Sequence, residues 1–283
     1  MSPGVNNLQP LTKVGLTPIE NYQVTPPSGK TLKIVHISDT HLGIKERKVY
    51  VPNIDGKSRP VKKQISSFQK FRGLLTTIQT LDPDVIIHTG DIVDQDITEH
   101  KDRVRTLKSR LPDLTQKRLL LYLRGNHDTA LSDFHIRELF DDWDILALED
   151  ASPVHLAEGQ ITVVGRDHRK YPTQGALSMD ELDNESDSIV IGAFHQTIHQ
   201  ISRSYAADTK LTELTPAGVP VSRYYDLLLF GHMHTNYLNQ DKKGCTIIDG
   251  GSALGLDIAS TVGLLTFSEG AAHYQRFPLW VER

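Results

Sequence analysis

Cysteine is almost absent from this 283-residue chain, since Cys245 is the only one. A single cysteine excludes an intramolecular disulfide and a zinc site built from several cysteines. It is typical of a reducing compartment, so we expect a cytoplasmic protein. No apolar run reaches about 18 residues, which argues against a membrane-spanning helix and against a membrane partner. The first residues also lack the basic-then-apolar pattern of a secretory signal, so we expect no such leader.

A surplus of positive charge is missing too. There are 31 Lys and Arg against 35 Asp and Glu, a formal net charge of −4, which argues against an obligate nucleic-acid coat protein. The charge is uneven, because residues 45–63 hold seven basic and two acidic side chains, a net of +5 that leaves −9 elsewhere. This segment could be a solvated loop or could follow an anionic backbone. The candidate substrate contacts within it are Lys45, Arg47, Lys48 and Arg59.

The chain divides into a proline-rich arm, residues 1–30, and one larger domain, residues 31–283. Five of the 14 prolines lie in the arm, where they disfavour helix and central strand. Hydrophobic periodicity predicts helices over 65–81, 97–111 and 133–142. It predicts strands over 32–38, 85–88, 119–123, 161–165, 188–194, 226–230, 244–248, 262–267 and 273–277, the last two as a hairpin. The alternation of strands and helices in the first half favours a parallel sheet.

Five short polar clusters share one feature: each lies just past the end of a predicted strand. They are Asp39-Thr40-His41, Gly90-Asp91-Ile92-Val93-Asp94, Gly125-Asn126-His127-Asp128, Phe194-His195-Gln196 and Gly231-His232-Met233-His234. Open α/β sheets bind ligands beyond the carboxyl ends of their strands, so these clusters can meet at one site. Their carboxylate, amide and imidazole groups suit catalytic divalent metals such as Mn, Fe, Zn, Ni or Co. Seven such ligands are too many for one ion and fit two that share a carboxylate.

The motifs DxH, GDxxD, GNHD, H and GHxH, in this order, resemble those of the calcineurin-like metallophosphoesterase superfamily over about residues 32–280. The resemblance implies an α/β fold of two packed mixed β-sheets flanked by helices, an α/β/β/α sandwich, in a single domain. It also implies two divalent metal ions, with manganese favoured and Fe, Zn, Ni, Co or Mg as alternatives. The implied ligands are Asp39, His41, Asp91 and His234 for the first ion and Asp91, Asn126, His195 and His232 for the second.

The same resemblance implies that His127 is catalytic rather than a metal ligand. It would face the phosphate and stabilise or protonate the leaving oxygen, and Asp128 would orient it; a histidine suits this role because its ordinary pKa is near neutrality. For Asp94 two interpretations stay open, support of a ligand or a surface turn. We interpret His36 and His88, which lie within neighbouring predicted strands, as buried, hydrogen-bonded core residues.

The resemblance implies hydrolysis of phosphodiester bonds by attack of a metal-bridging hydroxide. Asp94, Gln95 and Asp128 disfavour two branches, the protein phosphatases with GDxVDRG and GNHE and the purple acid phosphatases with GDxxY. The motifs are similar to those of double-strand-break-repair exonucleases and of cyclic-nucleotide and other small phosphodiesterases. The basic segment favours a DNA nuclease, whereas the net charge and the roughly 50 residues after His234 argue against one. A non-catalytic protein-binding scaffold is a third alternative, which the full set of expected ligands disfavours.

Overall fold

Short strands dominate the part of the chain that the structure, a computed structural model, describes. That part comprises residues 8–10, 31–43, 50–52, 58–60, 66–94, 118–128, 144–151, 153–168, 188–197, 221–235, 237–240, 244–254, 261–268 and 271–282. In chain order the strands are β1 (Leu8–Pro10), β2 (Leu32–Ile37), β3 (Tyr50–Pro52), β4 (Ser58–Pro60), β5 (Val85–His88), β6 (Leu119–Tyr122), β7 (Asp144–Ala147), β8 (Val154–Leu156), β9 (Ile161–Arg166), β10 (Ile189–His195), β11 (Leu227–Gly231), β12 (Leu238–Gln240), β13 (Thr246–Asp249), β14 (Thr261–Ser268), β15 (Ala271–Pro278) and β16 (Trp280–Glu282). The described helices are α1 (Ser67–Leu81), α2 (Leu148–Ala151) and a 3₁₀ turn, Val221–Arg223.

Two six-stranded mixed sheets form the body of the protein. The first has the order β15-β14-β2-β5-β6-β7, in which β2, β5, β6 and β7 are parallel and β14 and β15 are antiparallel. The second has the order β12-β13-β11-β10-β9-β8, in which β9, β10, β11 and β13 are parallel and the two edge strands are antiparallel. Each sheet therefore has four parallel strands, whose carboxyl ends lie at one edge.

The pleat of the central strands explains how the two sheets pack. Ile34 and Ile87 of the first sheet share a buried apolar cluster with Ile191 and Leu229 of the second, which fills the space between the sheets. The alternate residues, such as Val35, point to the opposite face and pack against α1. A strand buried on both faces must be apolar throughout, which is why the central strands lack a polar alternation.

The helix α1 covers the outer face of the first sheet. Its buried side chains recur every three or four residues and include Phe71, Leu74 and Ile78. A capping box starts the helix, because the Ser66 hydroxyl accepts from the Gln69 N–H at 3.2 Å and the Gln69 side chain accepts from the Ser66 N–H at 3.1 Å. Asp82 ends it in the left-handed conformation with φ 48°.

The predicted fold class is confirmed: two mixed sheets pack face to face, and the β14–β15 hairpin forms as expected. Within the two six-stranded sheets, three strands, β7, β8 and β12, were not predicted. All three are edge strands of three or four residues, too short to display a period of two. The expected helices over 97–111 and 133–142 lie outside the described residues. Within the described residues, no helix is long and apolar enough to span a membrane.

The two flanking segments singled out from the sequence each contain short strands. In the proline-rich arm, Leu8–Pro10 pairs antiparallel with Trp280–Glu282, so part of the arm forms a two-stranded sheet with the last described strand. In the basic segment, Tyr50–Pro52 pairs antiparallel with Ser58–Pro60, where a loop was expected. Three of its candidate substrate contacts, Lys45, Arg47 and Lys48, lie outside the described residues, and Arg59 is described only by its backbone in β4.

Candidate metal centre

The carboxyl ends of strands from both sheets meet at one place, and the five predicted clusters lie there. Strands β2, β5 and β6 of the first sheet and β10 and β11 of the second deliver the predicted ligands. Backbone pairing continues beyond β2 and β5, since the His41 N–H donates to the Asp91 carbonyl at 2.9 Å and Leu42 bridges to Val93. This extension holds the first two clusters side by side.

One half of the centre is formed by Asp39, His41 and His234, whose ligand atoms lie close enough together to hold a metal ion. His234 Nε2 is 3.1 Å and His41 Nε2 is 3.9 Å from Asp39 Oδ1. The Asp39 carboxylate is fully buried and also accepts from the backbone N–H of His232 at 3.0 Å. Burial opposes ionisation, but the His234 hydrogen bond and the nearby histidines outweigh it and hold the pKa of Asp39 below its usual range.

The other half is formed by Asp91, His195 and His232, which also lie within metal-binding range of one another. His195 Nε2 is 3.3 Å from Asp91 Oδ2 and 3.1 Å from Asn126 Oδ1. The same amide oxygen lies 2.9 Å from His232 Nδ1. The structure therefore brings the predicted amide ligand and both predicted histidines to one position.

Asp91 lies between the two halves. Its Oδ2 atom is 3.4 Å from His41 Nε2 on one side and 3.3 Å from His195 Nε2 on the other. Its other oxygen, Oδ1, accepts from the backbone N–H of His127 at 2.8 Å. A single carboxylate thus faces both groups of donors, which is the arrangement that a shared ligand requires.

The hydrogen bonding of His195 shows that the centre needs positive charge. Its Nδ1 lies 2.6 Å from the Thr89 carbonyl, which can only accept, so the ring proton resides on Nδ1. In a neutral ring the unprotonated Nε2 is an acceptor, and it faces two other acceptors, the oxygens of Asp91 and Asn126. Either a cation lies between these acceptors or the ring takes a second proton. Burial disfavours that proton, yet the Asp91 hydrogen bond outweighs burial and raises the pKa of His195 to about 9.

Other observations on the site also fit divalent metal ions. His41 is buried, and neither of its ring nitrogens has a hydrogen-bond partner among the residues that the structure describes. Asp39 and His234 have donor atoms 3.1 Å apart, and so do His195 and Asn126. This separation is within the range of about 3.0–3.4 Å between ligands of one ion with bonds near 2.1 Å, whereas the 3.9 Å from Asp39 to His41 is longer. Oxygen and imidazole donors without thiolate suit catalytic transition metals.

The backbone at the predicted ligands adopts an unusual conformation. Five of them have positive φ angles, which non-glycine residues rarely adopt: Asp39 (51°), His41 (41°), Asp91 (54°), His232 (90°) and His234 (55°). The close packing also requires glycine, because a Cβ at position 125 would clash with the Asp91 carboxylate and one at position 231 would clash with the Thr89 carbonyl.

His127 lies next to the centre, but its neighbouring carboxylate is not the one expected. Both oxygens of Asp128 accept backbone N–H groups, from Ile92 at 3.2 Å, Val93 at 3.1 Å and Gly125 at 2.9 Å. Asp128 therefore fixes the loops that carry the ligands, and the expectation that it orients His127 stays a prediction. The carboxylate facing the His127 ring is Asp94, whose Oδ2 is 3.7 Å from His127 Nδ1 and 3.5 Å from His41 Nδ1.

This position decides between the two interpretations of Asp94. Its side chain is only 13% exposed and faces two rings of the centre, which favours support of the site over a surface turn. His127 itself is 34% exposed and makes an edge contact with His41 at 4.6 Å between ring centroids. His127 also forms a third possible metal-binding group with His41 and Asp91, so its geometry permits a ligand role as well.

His36 and His88 are buried, as expected, and each donates or accepts one hydrogen bond through Nε2. His36 Nε2 lies 3.0 Å from the Thr89 hydroxyl and His88 Nε2 lies 3.2 Å from the Thr40 hydroxyl, while neither Nδ1 has a partner within the described part of the chain. Burial lowers the pKa of both rings to about 3, so both are neutral at physiological pH. Through these hydrogen bonds they contact the loops that carry the predicted ligands.

The sequence-based predictions do not single out His168, which lies near the centre. Its ring lies 5.9 Å from that of His195 and 5.6 Å from that of His232, centroid to centroid. A signal was present, because Asp167 and His168 directly follow the end of strand β9, as the ligands follow theirs. Applying the strand-end rule to this strand would have found it.

Comparison with known proteins identifies the family. A family model described as calcineurin-like phosphoesterase matches residues 32–236, which contain all five clusters. The chain belongs to the calcineurin-like phosphoesterase family. A search of curated proteins finds no match to the chain.

Several solved structures align with this calcineurin-like phosphoesterase at low sequence identity. A dimetal phosphatase from Danio rerio aligns with a TM-score of 0.51 at 11% identity, over 89% of this chain and 99% of that one. An NAD nucleotidase from Haemophilus influenzae gives 0.49 at 15% identity, over 89% of this chain and 50% of that one. An archaeal phosphodiesterase gives 0.44 at 14% identity, over 88% of this chain and 100% of that one. At these identities the likeness concerns the fold alone.

Proposed function

We propose that this calcineurin-like phosphoesterase hydrolyses phosphodiester bonds with two divalent metal ions. The observation that carries the proposal is the position of Asp91, whose Oδ2 lies 3.4 Å from His41 and 3.3 Å from His195. The proposed ligands of the first ion are Asp39, His41, Asp91 and His234, and those of the second are Asp91, Asn126, His195 and His232. Manganese is the proposed metal, since the donors are oxygen and imidazole nitrogen.

When bound, two divalent ions lower the pKa of water and neutralise the charge of a phosphoryl group. The protein holds the donors in place beforehand: the Thr89 carbonyl fixes the tautomer of His195, and the His127 N–H fixes one oxygen of Asp91. His127 presents a half-exposed ring beside these donors, with its buried Nδ1 toward Asp94. We assign it the transfer of a proton to the leaving oxygen, because a histidine beside the proposed ligands is a common general acid.

Two classes of diester are alternative substrates, nucleic acid and small diesters. The net charge of +5 over residues 45–63, which directly follow the ligand-bearing loop after β2, favours a polyanion such as DNA. The overall net charge of −4 favours a small diester such as a cyclic nucleotide. A non-catalytic scaffold is the least favoured alternative, because the structure gathers every predicted ligand at one site.

The first experiment tests the metal centre. Protein treated with EDTA is reconstituted with Mn²⁺, its metal content is measured by elemental analysis, and hydrolysis of bis-p-nitrophenyl phosphate is followed. Asp91→Asn should retain less than one ion per chain and lose nearly all turnover, whereas Asp144→Asn, at an exposed position of β7, should match the wild type. Two bound ions with no hydrolysis of any phosphoester would favour the scaffold, and full metal content in Asp91→Asn would contradict the shared ligand.

The second experiment separates the substrates. Turnover of labelled single- and double-stranded DNA is compared with that of a cyclic nucleotide in Mn²⁺. A variant with Lys45, Arg47, Lys48 and Arg59 changed to alanine should lose DNA cleavage but keep hydrolysis of the small diester. Good turnover of the small diester with no cleavage of DNA by the wild type would exclude the nuclease.

A further inference from the structure

His168 lies at the end of β9, in the second sheet, beside the half of the centre formed by His195 and His232. Its ring is tilted 37° to that of His232 at 5.6 Å and meets the edge of His195 at 5.9 Å. The residue is half-buried. His127 occupies a similar place beside the other half, at 4.6 Å from His41. The centre thus has a histidine beside each half.

The backbone of His168 is fixed by contacts between the two sheets. Its N–H donates to the carbonyl of Arg124, the residue before the GNHD motif, at 2.8 Å. Asp167 accepts from Arg124 twice, from the backbone N–H at 2.8 Å and from Nε at 2.7 Å. The Asp167 N–H in turn donates to Glu149 at 2.9 Å. These bonds join the end of β6 to the end of β9 and hold His168 in a defined position.

The ring of His168 is near the centre but is not arranged as a ligand. Among the described residues, three groups of histidine and carboxylate atoms lie within 4.8 Å of one another, and His168 belongs to none of them. A half-buried histidine just beyond the ligands, fixed by its backbone, is placed to touch a molecule that the metals bind.

We propose that His168 contacts the phosphoryl group of the substrate on the His195–His232 side of the centre, by donating a hydrogen bond from its ring to a phosphoryl oxygen. This inference rests on the proposed function, because it takes the bound anion to be a phosphoester. His168 would then be a second substrate-binding histidine, separate in sequence and in sheet from His127.

Binding of inorganic phosphate to the Mn²⁺-loaded protein tests the contact without requiring turnover. A hydrogen bond to a charged group contributes enough that His168→Ala should weaken phosphate binding by about tenfold to hundredfold in calorimetry. His168→Gln keeps a donor and should lose less. The matched control is His155→Ala. His155 is an exposed histidine that pairs with Thr162 near the start of β9, whereas His168 follows the end of β9, so this variant should bind phosphate as the wild type does.

Metal content and steady-state kinetics complete the test. We expect His168→Ala to keep both ions and to raise the KM for bis-p-nitrophenyl phosphate by about tenfold. Unchanged phosphate binding in a folded His168→Ala protein would overturn the proposal, and so would a loss of metal, which would make His168 a ligand. Absence of hydrolysis by the wild type would refute the proposed function, while the phosphate measurement would still test His168.

Discussion

Mutation of the two carboxylates near His127 should affect different properties of the protein. We expect changes at Asp128 to lower the stability and changes at Asp94 to lower the turnover. Asp128 is 1% exposed and accepts three backbone N–H groups at 2.9, 3.1 and 3.2 Å. Asp128→Ala leaves all three donors buried without their acceptor. Each such donor costs about 1–3 kcal/mol, so we expect the free energy of unfolding to fall by at least about 3 kcal/mol. Urea denaturation of the metal-free protein measures this directly.

Asp128→Asn provides a graded comparison. The Oδ2 atom accepts from two of the three donors, Ile92 and Gly125, so an amide oxygen placed there keeps both bonds and loses only that of Val93. The expected loss is about 1–2 kcal/mol. Asp94→Asn should instead change stability by less than about 1 kcal/mol and lower the kcat of the metal-loaded enzyme by about tenfold to hundredfold.

The reverse pattern would refute this reasoning. If Asp128→Ala unfolded within about 1 kcal/mol of the wild type but lost turnover, Asp128 would act on His127 after all. If Asp94→Asn kept full turnover, the 3.7 Å approach of Asp94 to His127 would have no catalytic role. Far-ultraviolet circular dichroism of each variant would verify that the comparison is between folded proteins.

Three further predictions concern stability and the site. Burial raises the pKa of Asp128 to about 6, so the part of its stabilising effect that depends on protonation is complete below about pH 4 and is lost as the pH rises through 6. Asp128→Asn should therefore destabilise the metal-free protein more at about pH 5 than at about pH 8 in urea denaturation. Ser66→Ala removes the N-cap of α1 and should cost about 1 kcal/mol in the same assay, with no change in metal content. Gly125→Ala places a methyl group against the Asp91 carboxylate and should reduce the metal content, measured by elemental analysis, below two ions per chain.

The sequence was sufficient for the parts of the fold that follow a periodic rule. The central strands are mostly apolar and lead into polar clusters, so both their existence and their shared edge were predicted correctly. Helix α1 was predicted to end at Asp82, and it does. The edge strands β7, β8 and β12 were missed because three or four residues, partly exposed, carry no pattern that distinguishes them from a loop.

The roles of side chains within one motif were harder to predict. Asp128 is adjacent to His127 in sequence, which made it the natural partner, yet its carboxylate faces the backbone of the loop after β5. Asp94 is 33 residues away in sequence but approaches His127 because the two loops run side by side. Direction of a side chain at a strand end depends on local backbone angles, which the residue types alone do not determine.

The left-handed backbone at five proposed ligands sets metal binding against the stability of the fold. Each such conformation costs about 1 kcal/mol or more, so together they oppose folding by an amount comparable to the net stability of a small domain. Glycine at Asp39 or His234 should relieve part of this strain in the metal-free protein while abolishing the ligand. Selection for stability and selection for metal binding therefore act against each other at the same five positions. A descendant that no longer used its metals would be expected to lose these residues first.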